Sequence, residues 1–148
     1  MVRTILLHIG NELLRGETIN TNAATISRLL FEAGYPVLRH CVVGDDPYDI
    51  QKALLDSCAE ADFVICTGGL GPTTDDLTAD AAAQAFGVAL KENPKAWKMV
   101  QDRFAFLGRD PTGKDRKQAV VPDGSVILEN AWGTAPGFYV RHKSATAF

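Results

Sequence analysis

Apolar and polar residues alternate in blocks along the first half of the chain, and these blocks predict strands and helices in turn. Three short apolar runs predict buried strands at residues 2–9, 35–43 and 62–67. Between them, apolar residues recur at helical spacing in residues 21–33 and from Pro47 to about Glu60. Strands that alternate with helices of about a dozen residues indicate βαβ crossovers, which build a parallel sheet.

The ends of the two helices carry local signals that support this pattern. Gly34 follows the first helix, where a residue of positive φ ends many helices. Asp46 and Pro47 begin the second helix as an N-cap and a proline at the first helical position. The predicted apolar stripe of the first helix consists of Ile26, Leu29, Leu30 and Ala33. Because the strand runs lack a polar face, we predict helices on both sides of the sheet: a three-layer α/β/α sandwich, doubly wound and mostly parallel.

The second half of the chain is less regular. Further elements are predicted at residues 77–86, 94–107, 114–120, 125–128 and 138–141. The helix that follows Asn93-Pro94 places apolar side chains on one face, and these are Trp97, Val100, Phe104 and Leu107. Ser144–Phe148 has the pattern of a strand in progress. We therefore predict a single domain over residues 1–148, truncated at the C-terminal end of its fold.

Charge and cysteine content narrow the classes of function. The chain has 15 Lys and Arg against 18 Asp and Glu, a net charge of −3 at pH 7. This balance predicts no nucleic-acid or membrane partner, and no apolar run is long enough to span a bilayer. Cys41, Cys58 and Cys66 lack the count and spacing of a disulfide framework or a zinc site, and Cys66 is predicted to lie in the core. With no secretory signal, the pattern is typical of a cytoplasmic protein.

The turn after the third strand is the strongest candidate for chemistry. It reads Thr67-Gly68-Gly69-Leu70-Gly71-Pro72-Thr73-Thr74-Asp75-Asp76 and follows a strand at its carboxyl end, where open parallel sheets bind ligands. Its glycines leave N–H groups free to approach an anion, and its threonines supply hydroxyls and a candidate N-cap. The predicted ligand-binding residues are Gly68, Gly69, Gly71, Thr73 and Thr74. The GxxxxGK[ST] and GxGxxG patterns are absent, and the alternative is a tight turn without a ligand.

Acidic residues near this turn predict a metal site. Asp75 and Asp76 would repel a polyphosphate unless a cation lay between them, and one or two carboxylates plus phosphate oxygens suit Mg²⁺. One of the pair, with Asp76 favoured, could instead position an attacking water as a catalytic residue. Asp45 follows the second strand and is a second catalytic candidate at the same sheet edge. The alternative for the acidic pair is a structural one, in which the carboxylates complement a helix dipole.

Polar residues after the first strand are further candidates for ligand binding. Glu12, Asn20 and Asn22 lie in a long connection at the same sheet edge, and binding residues concentrate in such connections. The alternative is that Asn20 or Thr21 merely caps the next helix. His8, His40 and His142 are scattered along the chain and are given no metal or base role.

Two segments of the second half complete the candidate site. Arg116 and Lys117 could neutralise phosphate, with Lys117 as the predicted ligand contact, or could form a solvated basic turn. The loop Gly133-Thr134-Ala135-Pro136-Gly137 is rich in small residues, and its predicted ligand-binding residues are Pro136 and Gly137.

Five motifs in this order resemble the CinA family. Residues 9–16 with 20–22 look like its first signature, residues 43–45 like its second, and residues 67–78 like its third and most specific signature. Residues 116–119 and 133–138 follow in the family's order. The set spans roughly residues 4–140 and is similar to the N-terminal domain of CinA, the competence/damage-inducible protein, in the MoaB/Mog-like molybdopterin-binding superfamily.

The resemblance implies a function for the sheet edge. CinA-type members imply an ADP-ribose pyrophosphatase-type hydrolase aided by a divalent metal, Mg²⁺ or Co²⁺, and Asp45 and Asp76 match the superfamily's functional acids. Mog-like members imply molybdopterin binding and adenylyl transfer as the alternative, and a non-catalytic nucleotide-sensing module is a third interpretation. The resemblance also implies a small phosphorylated ligand and a homo-oligomer, either a dimer or a trimer.

The chain departs from the family pattern at three places. Asn11 stands where an aspartate is common, which affects any contact with metal or ligand there. Leu70 stands where Mog-like members have threonine, and this favours the CinA-type interpretation. The family's next element, a Pro-Gly-rich loop ending in a glutamate, would begin just past Phe148, and the C-terminal deamidase domain of CinA is not part of this sequence.

Overall fold

The structure is a computed structural model that describes residues 2–148. Its α-helices are α1 (Asn11–Leu14), α2 (Thr21–Glu32), α3 (Pro47–Glu60), α4 (Thr78–Phe86) and α5 (Pro94–Phe106). A 3₁₀ helix covers Asp115–Ala119. Its strands are β1 (Thr4–Ile9), β2 (Val37–Val43), β3 (Phe63–Thr67), β4 (Leu90–Glu92), β5 (Val120–Pro122), β6 (Val126–Leu128), β7 (Gly137–His142) and β8 (Ala145–Ala147).

Six of the strands form one mostly parallel sheet, in the order β2-β1-β3-β8-β7-β6. The pairs β1–β2, β1–β3 and β3–β8 are parallel, whereas β7 runs antiparallel to both of its neighbours. Strands β4 and β5 form a separate antiparallel ribbon that the sequence pattern did not predict. The predicted α/β class with a mostly parallel sheet is confirmed.

The main core lies between one face of the sheet and helices α3 and α4. Ile5 and Leu7 of β1 meet Ile50 and Leu54 of α3, and none of these side chains is more than 1% exposed. The predicted start of α3 is confirmed, because the Asp46 carboxylate accepts hydrogen bonds from the N–H groups of Tyr48 and Asp49 at 2.9 and 3.0 Å. This packing fixes the carboxyl ends of β1 and β3, where the chain leaves the sheet.

The opposite face of the sheet is covered only in part, by α2. This helix has no buried residue. Of its predicted stripe, Ile26 and Leu30 are half-buried, whereas Leu29 is 55% exposed. A hydrogen bond between Ser27 Oγ and His40 Nε2 ties α2 to β2 at 3.0 Å. Further along this face, an open cavity of about 410 Å³ is lined by Val2, Thr4, Leu30, Tyr35, Phe63, Ile65 and Phe148.

A second, smaller core forms around α5 and the antiparallel ribbon. Val100 and Phe104 are buried as predicted, but Leu107 lies beyond the end of the helix and is 44% exposed. Trp97 is half-buried beneath the Arg116 guanidinium, whose Cζ lies 5.2 Å from the centre of its ring. Over the described part of the chain the three cysteines are free, and no helix is long and apolar enough to cross a membrane.

Candidate functional site

Two adjoining cavities open where β1 and β3 end, at the carboxyl edge of the parallel strands. Since the strand order is β2-β1-β3 and the chain leaves β1 and β3 in opposite directions across the sheet, this is the topological switch point at which α/β sheets bind ligands. The smaller one, called here the switch-point cavity, measures about 130 Å³ and is lined by Ile9, Glu12, Leu13, Thr18, Ile19, Asn20, Thr21, Asn22, Thr67 and Gly68.

The larger one, called here the glycine-turn cavity, measures about 270 Å³ and lies on the α4 side. Its polar lining residues are Asp76, Asp80, Lys117 and Gln118, and the rest of its lining is Gly69, Leu70, Gly71, Ala79, Leu90, Val120, Val121, Pro136 and Phe138. Gly68 lines the switch-point cavity, and the next residue, Gly69, lines the glycine-turn cavity. The structure thus divides the predicted site residues into two groups on either side of the glycine turn.

The glycines of the turn make room for the protein's own atoms. At Gly68, with φ +101°, an added Cβ would overlap the carbonyl oxygen of Ile9. At Gly69, with φ +69°, it would overlap the hydroxyl of Thr78, which donates to the Gly68 carbonyl at 2.8 Å. These close approaches hold the turn against β1 and α4, a reason for glycine that the sequence pattern did not reveal.

Asp76 stabilises the turn from within. Its Oδ2 accepts hydrogen bonds from the N–H and the hydroxyl of Thr73, at 2.9 and 2.6 Å. Partial burial alone would raise its pKa, but these bonds, one from the Gly71 backbone and the charge of Lys117 together lower it below the ordinary value. The predicted capping role of Thr73 and Thr74 is wrong, since α4 begins at Thr78 after Leu77 and has no side-chain cap.

The second carboxylate of the larger cavity is Asp80, a residue that the sequence reasoning missed. The predicted partner, Asp75, is exposed and does not line the cavity, because neighbouring residues of a turn direct their side chains apart. Asp80 lies in the first turn of α4, whereas Asp76 lies in the turn before the helix, so the two carboxylates reach the cavity from different elements. The available signal was an acid in the first turn of the helix that follows the glycine turn.

The two basic candidates have different partners. Lys117 lines the glycine-turn cavity, and its Nζ donates to the Thr73 carbonyl at 2.5 Å. Arg116 is turned away from the cavity, because Glu92 accepts from its Nε at 2.7 Å and from its Nη2 at 3.1 Å. The structure therefore retains Lys117 as a site residue and gives Arg116 a structural ion pair.

Buried polar contacts hold the far wall of the larger cavity. Gln118 is 5% exposed, accepts a hydrogen bond from Thr134 Oγ1 at 2.6 Å and donates to Asp115 at 3.2 Å. These bonds fasten the small-residue loop to the 3₁₀ helix that carries Lys117. Pro136 lines the glycine-turn cavity as predicted, whereas Gly137 lines a neighbouring apolar cavity of about 190 Å³ that also includes Gly68.

The predicted residues after β1 gather in the switch-point cavity. Glu12, Asn20 and Asn22 all line it, and the Asn20 Oδ1 also accepts from Ala23 N–H at 3.0 Å as the cap of α2. Asp45 is engaged elsewhere, since its Oδ2 accepts from Asn11 N–H at 2.9 Å while Asn11 Oδ1 accepts from Asp45 N–H at 3.4 Å. This reciprocal pair ties the start of α1 to the end of β2.

A hard divalent cation fits the larger cavity only with help from a ligand. Among residues 2–148 there is no cluster of three or more Asp, Glu, His or Cys side chains able to enclose a metal. Asp76 and Asp80 nevertheless present carboxylate oxygens to one cavity. One or two carboxylates completed by phosphate oxygens is the way in which Mg²⁺ is commonly held.

Comparison with known proteins identifies relatives of the whole chain. Residues 5–148 match the family model described as "Probable molybdopterin binding domain". A protein of Caldivirga maquilingensis is 45% identical over 141 residues, which are 95% of this chain and 55% of that protein. A CinA-like protein of Syntrophotalea carbinolica is 43% identical over 143 residues, 97% of this chain and 35% of its own. The chain therefore spans about a third to a half of the length of these relatives.

Comparison with solved structures also finds CinA and molybdopterin biosynthesis proteins. The crystal structure of the protein CinA from Thermoplasma acidophilum superposes with a TM-score of 0.89 at 34% identity, covering 98% of this chain and 85% of that one. The molybdopterin biosynthesis enzyme MoaB of Thermus thermophilus has a TM-score of 0.62 at 18% identity and covers 99% of this chain and 79% of its own. This second likeness shows a shared fold.

Proposed function

Because the chain belongs to the molybdopterin-binding domain family, in its CinA-like branch, we propose that it binds a small phosphorylated ligand across the two cavities and hydrolyses its phosphoanhydride bond. The substrate proposed is ADP-ribose or a related dinucleotide. The observation that carries this proposal is the lining of the glycine-turn cavity, where Asp76, Asp80 and Lys117 converge beside the Gly69–Gly71 backbone.

The two cavities offer different chemistry to the two parts of such a ligand. Glu12, Asn20 and Asn22 provide carboxylate and amide groups that suit the hydroxyls of a sugar. Lys117 provides a positive charge for a pyrophosphate on the other side of the turn. A dinucleotide bound with its sugar in the switch-point cavity would therefore present its anhydride to the two acids.

The chain's own groups account for binding and orientation. Asp76 and Asp80 would hold a divalent cation, which supplies charge neutralisation to the phosphate oxygens. Lys117 balances further negative charge and, through the Thr73 carbonyl, keeps the turn closed. One of the two carboxylates can accept a proton from an attacking water. The lowered pKa of Asp76 favours its charged form and so its role as a cation ligand.

The test is to compare Asp80→Asn with Asp75→Asn, which removes the same charge from an exposed position outside the cavity. With ADP-ribose and Mg²⁺ or Co²⁺, we expect Asp80→Asn to lower kcat/KM at least about 100-fold, the scale of a lost catalytic or metal-binding carboxylate. Asp75→Asn should stay within about threefold of the original chain, with products identified by chromatography and ³¹P NMR. Undiminished turnover in Asp80→Asn would refute the proposal.

Molybdopterin is the second candidate ligand, favoured by the description of the matching family and by the fold shared with MoaB. Calorimetric titration of molybdopterin and of ADP-ribose separates the two ligands by affinity. Binding of ADP-ribose without any product after prolonged incubation with metal would instead support a non-catalytic nucleotide sensor.

A further inference from the structure

His8 is a buried polar side chain that contacts Thr67, a lining residue of the switch-point cavity. It lies on β1 two residues before Gly10 and is 0% exposed. It is paired in the sheet with Thr67 of β3, and its Nδ1 lies 2.8 Å from the Thr67 hydroxyl oxygen. Within the described residues, its Nε2 is buried with no hydrogen-bond partner.

Thr67 carries this contact to the cavity. It is the last residue of β3 and, unlike His8, lines the switch-point cavity together with Gly68. A threonine hydroxyl donates one hydrogen bond and accepts others, and its hydrogen rotates to suit its partners. When a neighbouring N–H donates to the oxygen, the hydroxyl hydrogen must point elsewhere. The rigid, fully buried imidazole is such a neighbour, so His8 sets the direction of a group that faces the ligand.

The surroundings of His8 favour the uncharged ring. Burial is the larger cause and the neighbouring His40 the second, and together they lower the pKa of His8 below its ordinary 6.5. His40, from β2, stacks on it with ring centres 5.6 Å apart, while β3 and α2 contribute the neutral hydroxyls of Thr67 and Ser27. A neutral imidazole has one N–H, and since an unpaired buried N–H is rarer than an unpaired acceptor, the proton belongs on Nδ1.

We propose that His8 is a positioning residue: its neutral imidazole donates from Nδ1 to Thr67 and so directs the Thr67 hydroxyl hydrogen into the switch-point cavity, where it donates to the ligand. This role rests on the ligand-binding function proposed above. Acid should remove it, because a charge on His8 would be buried beside His40 and the ring would have to leave its place. As the pH falls, His8 is protonated in the unfolded chain before it is protonated in the folded one, because its pKa is lower in the folded state. The stability that depends on the neutral ring is therefore fully present above pH 6.5 and is lost as the pH falls through the pKa of the folded state.

The His8–Thr67 pair can be tested on the free protein by ¹⁵N NMR of the imidazole. We expect the Nδ1–H form and no titration of His8 until the pH is clearly below 6.5. His40→Asn should shift that titration upward by removing the neighbouring charge, and Thr67→Val should shift the ring toward its Nε2–H form. An Nε2–H ring that titrates at its ordinary value in the original chain would overturn the proposal.

Binding of ADP-ribose, measured by calorimetry at neutral pH, tests the consequence for the ligand. Thr67→Val should weaken binding about tenfold, the effect of one lost hydrogen bond, whereas Thr67→Ser should bind within about twofold. His8→Asn places an amide N–H near the position of Nδ1 and should bind like the original chain while losing the acid-dependent change; His8→Leu should resemble Thr67→Val.

The outcomes separate this proposal from the function on which it rests. Unchanged affinity in Thr67→Val contradicts the positioning role even when ADP-ribose binds well. An original chain that binds no ADP-ribose contradicts the proposed ligand, while the imidazole titration still decides for or against the His8–Thr67 pair.

Discussion

At the scale of single residues, the glycine turn serves two purposes that a sequence pattern cannot separate. A glycine can leave space for a ligand or for the protein itself, and at Gly68 the space is filled by the Ile9 carbonyl. The same holds for acids, since Asp75 and Asp76 are equal in sequence but only Asp76 bonds within the turn and lines the cavity. Only the path of the backbone distinguishes these cases.

The role of Gly68 can be measured against that of Gly108, because both have positive φ but only Gly68 has backbone atoms where a Cβ would lie. We expect Gly108→Ala to lower the free energy of unfolding by about 1 kcal/mol, the cost of the left-handed conformation alone. Gly68→Ala should cost more than about 3 kcal/mol, because the turn must also move away from β1. Urea unfolding gives both values, and equal costs would contradict the close approach.

At the scale of elements, the sequence predicted the first half of the fold well and the second half less well. Local signals decide an element such as α3, whose cap and buried face both follow from its own residues. The antiparallel ribbon of β4 and β5 was missed because three-residue strands carry little periodicity. The stripe of α2 is only half-buried at Ile26 and Leu30, because amphipathic spacing does not reveal how much partner surface covers a helix.

The contact between Asn11 and Asp45 joins two elements, and of the two residues Asp45 was predicted from the sequence as a catalytic candidate. The alternation of strands and helices was enough to predict that Asp45 lies at the sheet edge. Its hydrogen bonds with Asn11 could not be predicted, because they depend on how two separate loops meet. Because Asp45 accepts from the first N–H of α1, we regard it as a structural tie between α1 and β2.

This interpretation predicts different effects for two substitutions of Asp45. Asp45→Asn keeps a carbonyl oxygen for the Asn11 N–H and should change stability and ADP-ribose turnover little. Asp45→Leu should lower the free energy of unfolding by about 1–2 kcal/mol, as the loss of a cap does. The double variant Asn11→Ala/Asp45→Leu should lose less free energy of unfolding than the two single variants lose together, because each single variant already breaks the shared contact. A turnover loss of about 100-fold in a stable Asp45→Asn variant would restore the catalytic role.

At the scale of the whole molecule, the two faces of the sheet are unequal. The face toward α3 and α4 is closed, whereas on the other side of the sheet α2 leaves its own Leu29 and Phe31 exposed at 55% and 72%, and β2 leaves Leu38 exposed at 58%. On that face Phe148 lies between Phe63 and Tyr139, with ring centres 5.8 and 5.4 Å apart. Exposed apolar side chains beside an open apolar cavity suit association with another protein surface.

We call the partly covered side of the sheet, toward α2, the open face, and we expect the predicted homo-oligomer to form through it. We expect the chain to self-associate with increasing concentration, because covering the cavity lined by Leu30, Tyr35 and Phe63 removes apolar area from water. Tyr35→Glu, which places a charge at the rim of that cavity, should weaken association about tenfold or more in sedimentation velocity. Trp132→Glu is the matched control, because Trp132 is 87% exposed and does not line this cavity. If Trp132→Glu weakened association and Tyr35→Glu did not, the interface would lie at the loop that carries Trp132, and the open face would remain in contact with solvent in the assembly.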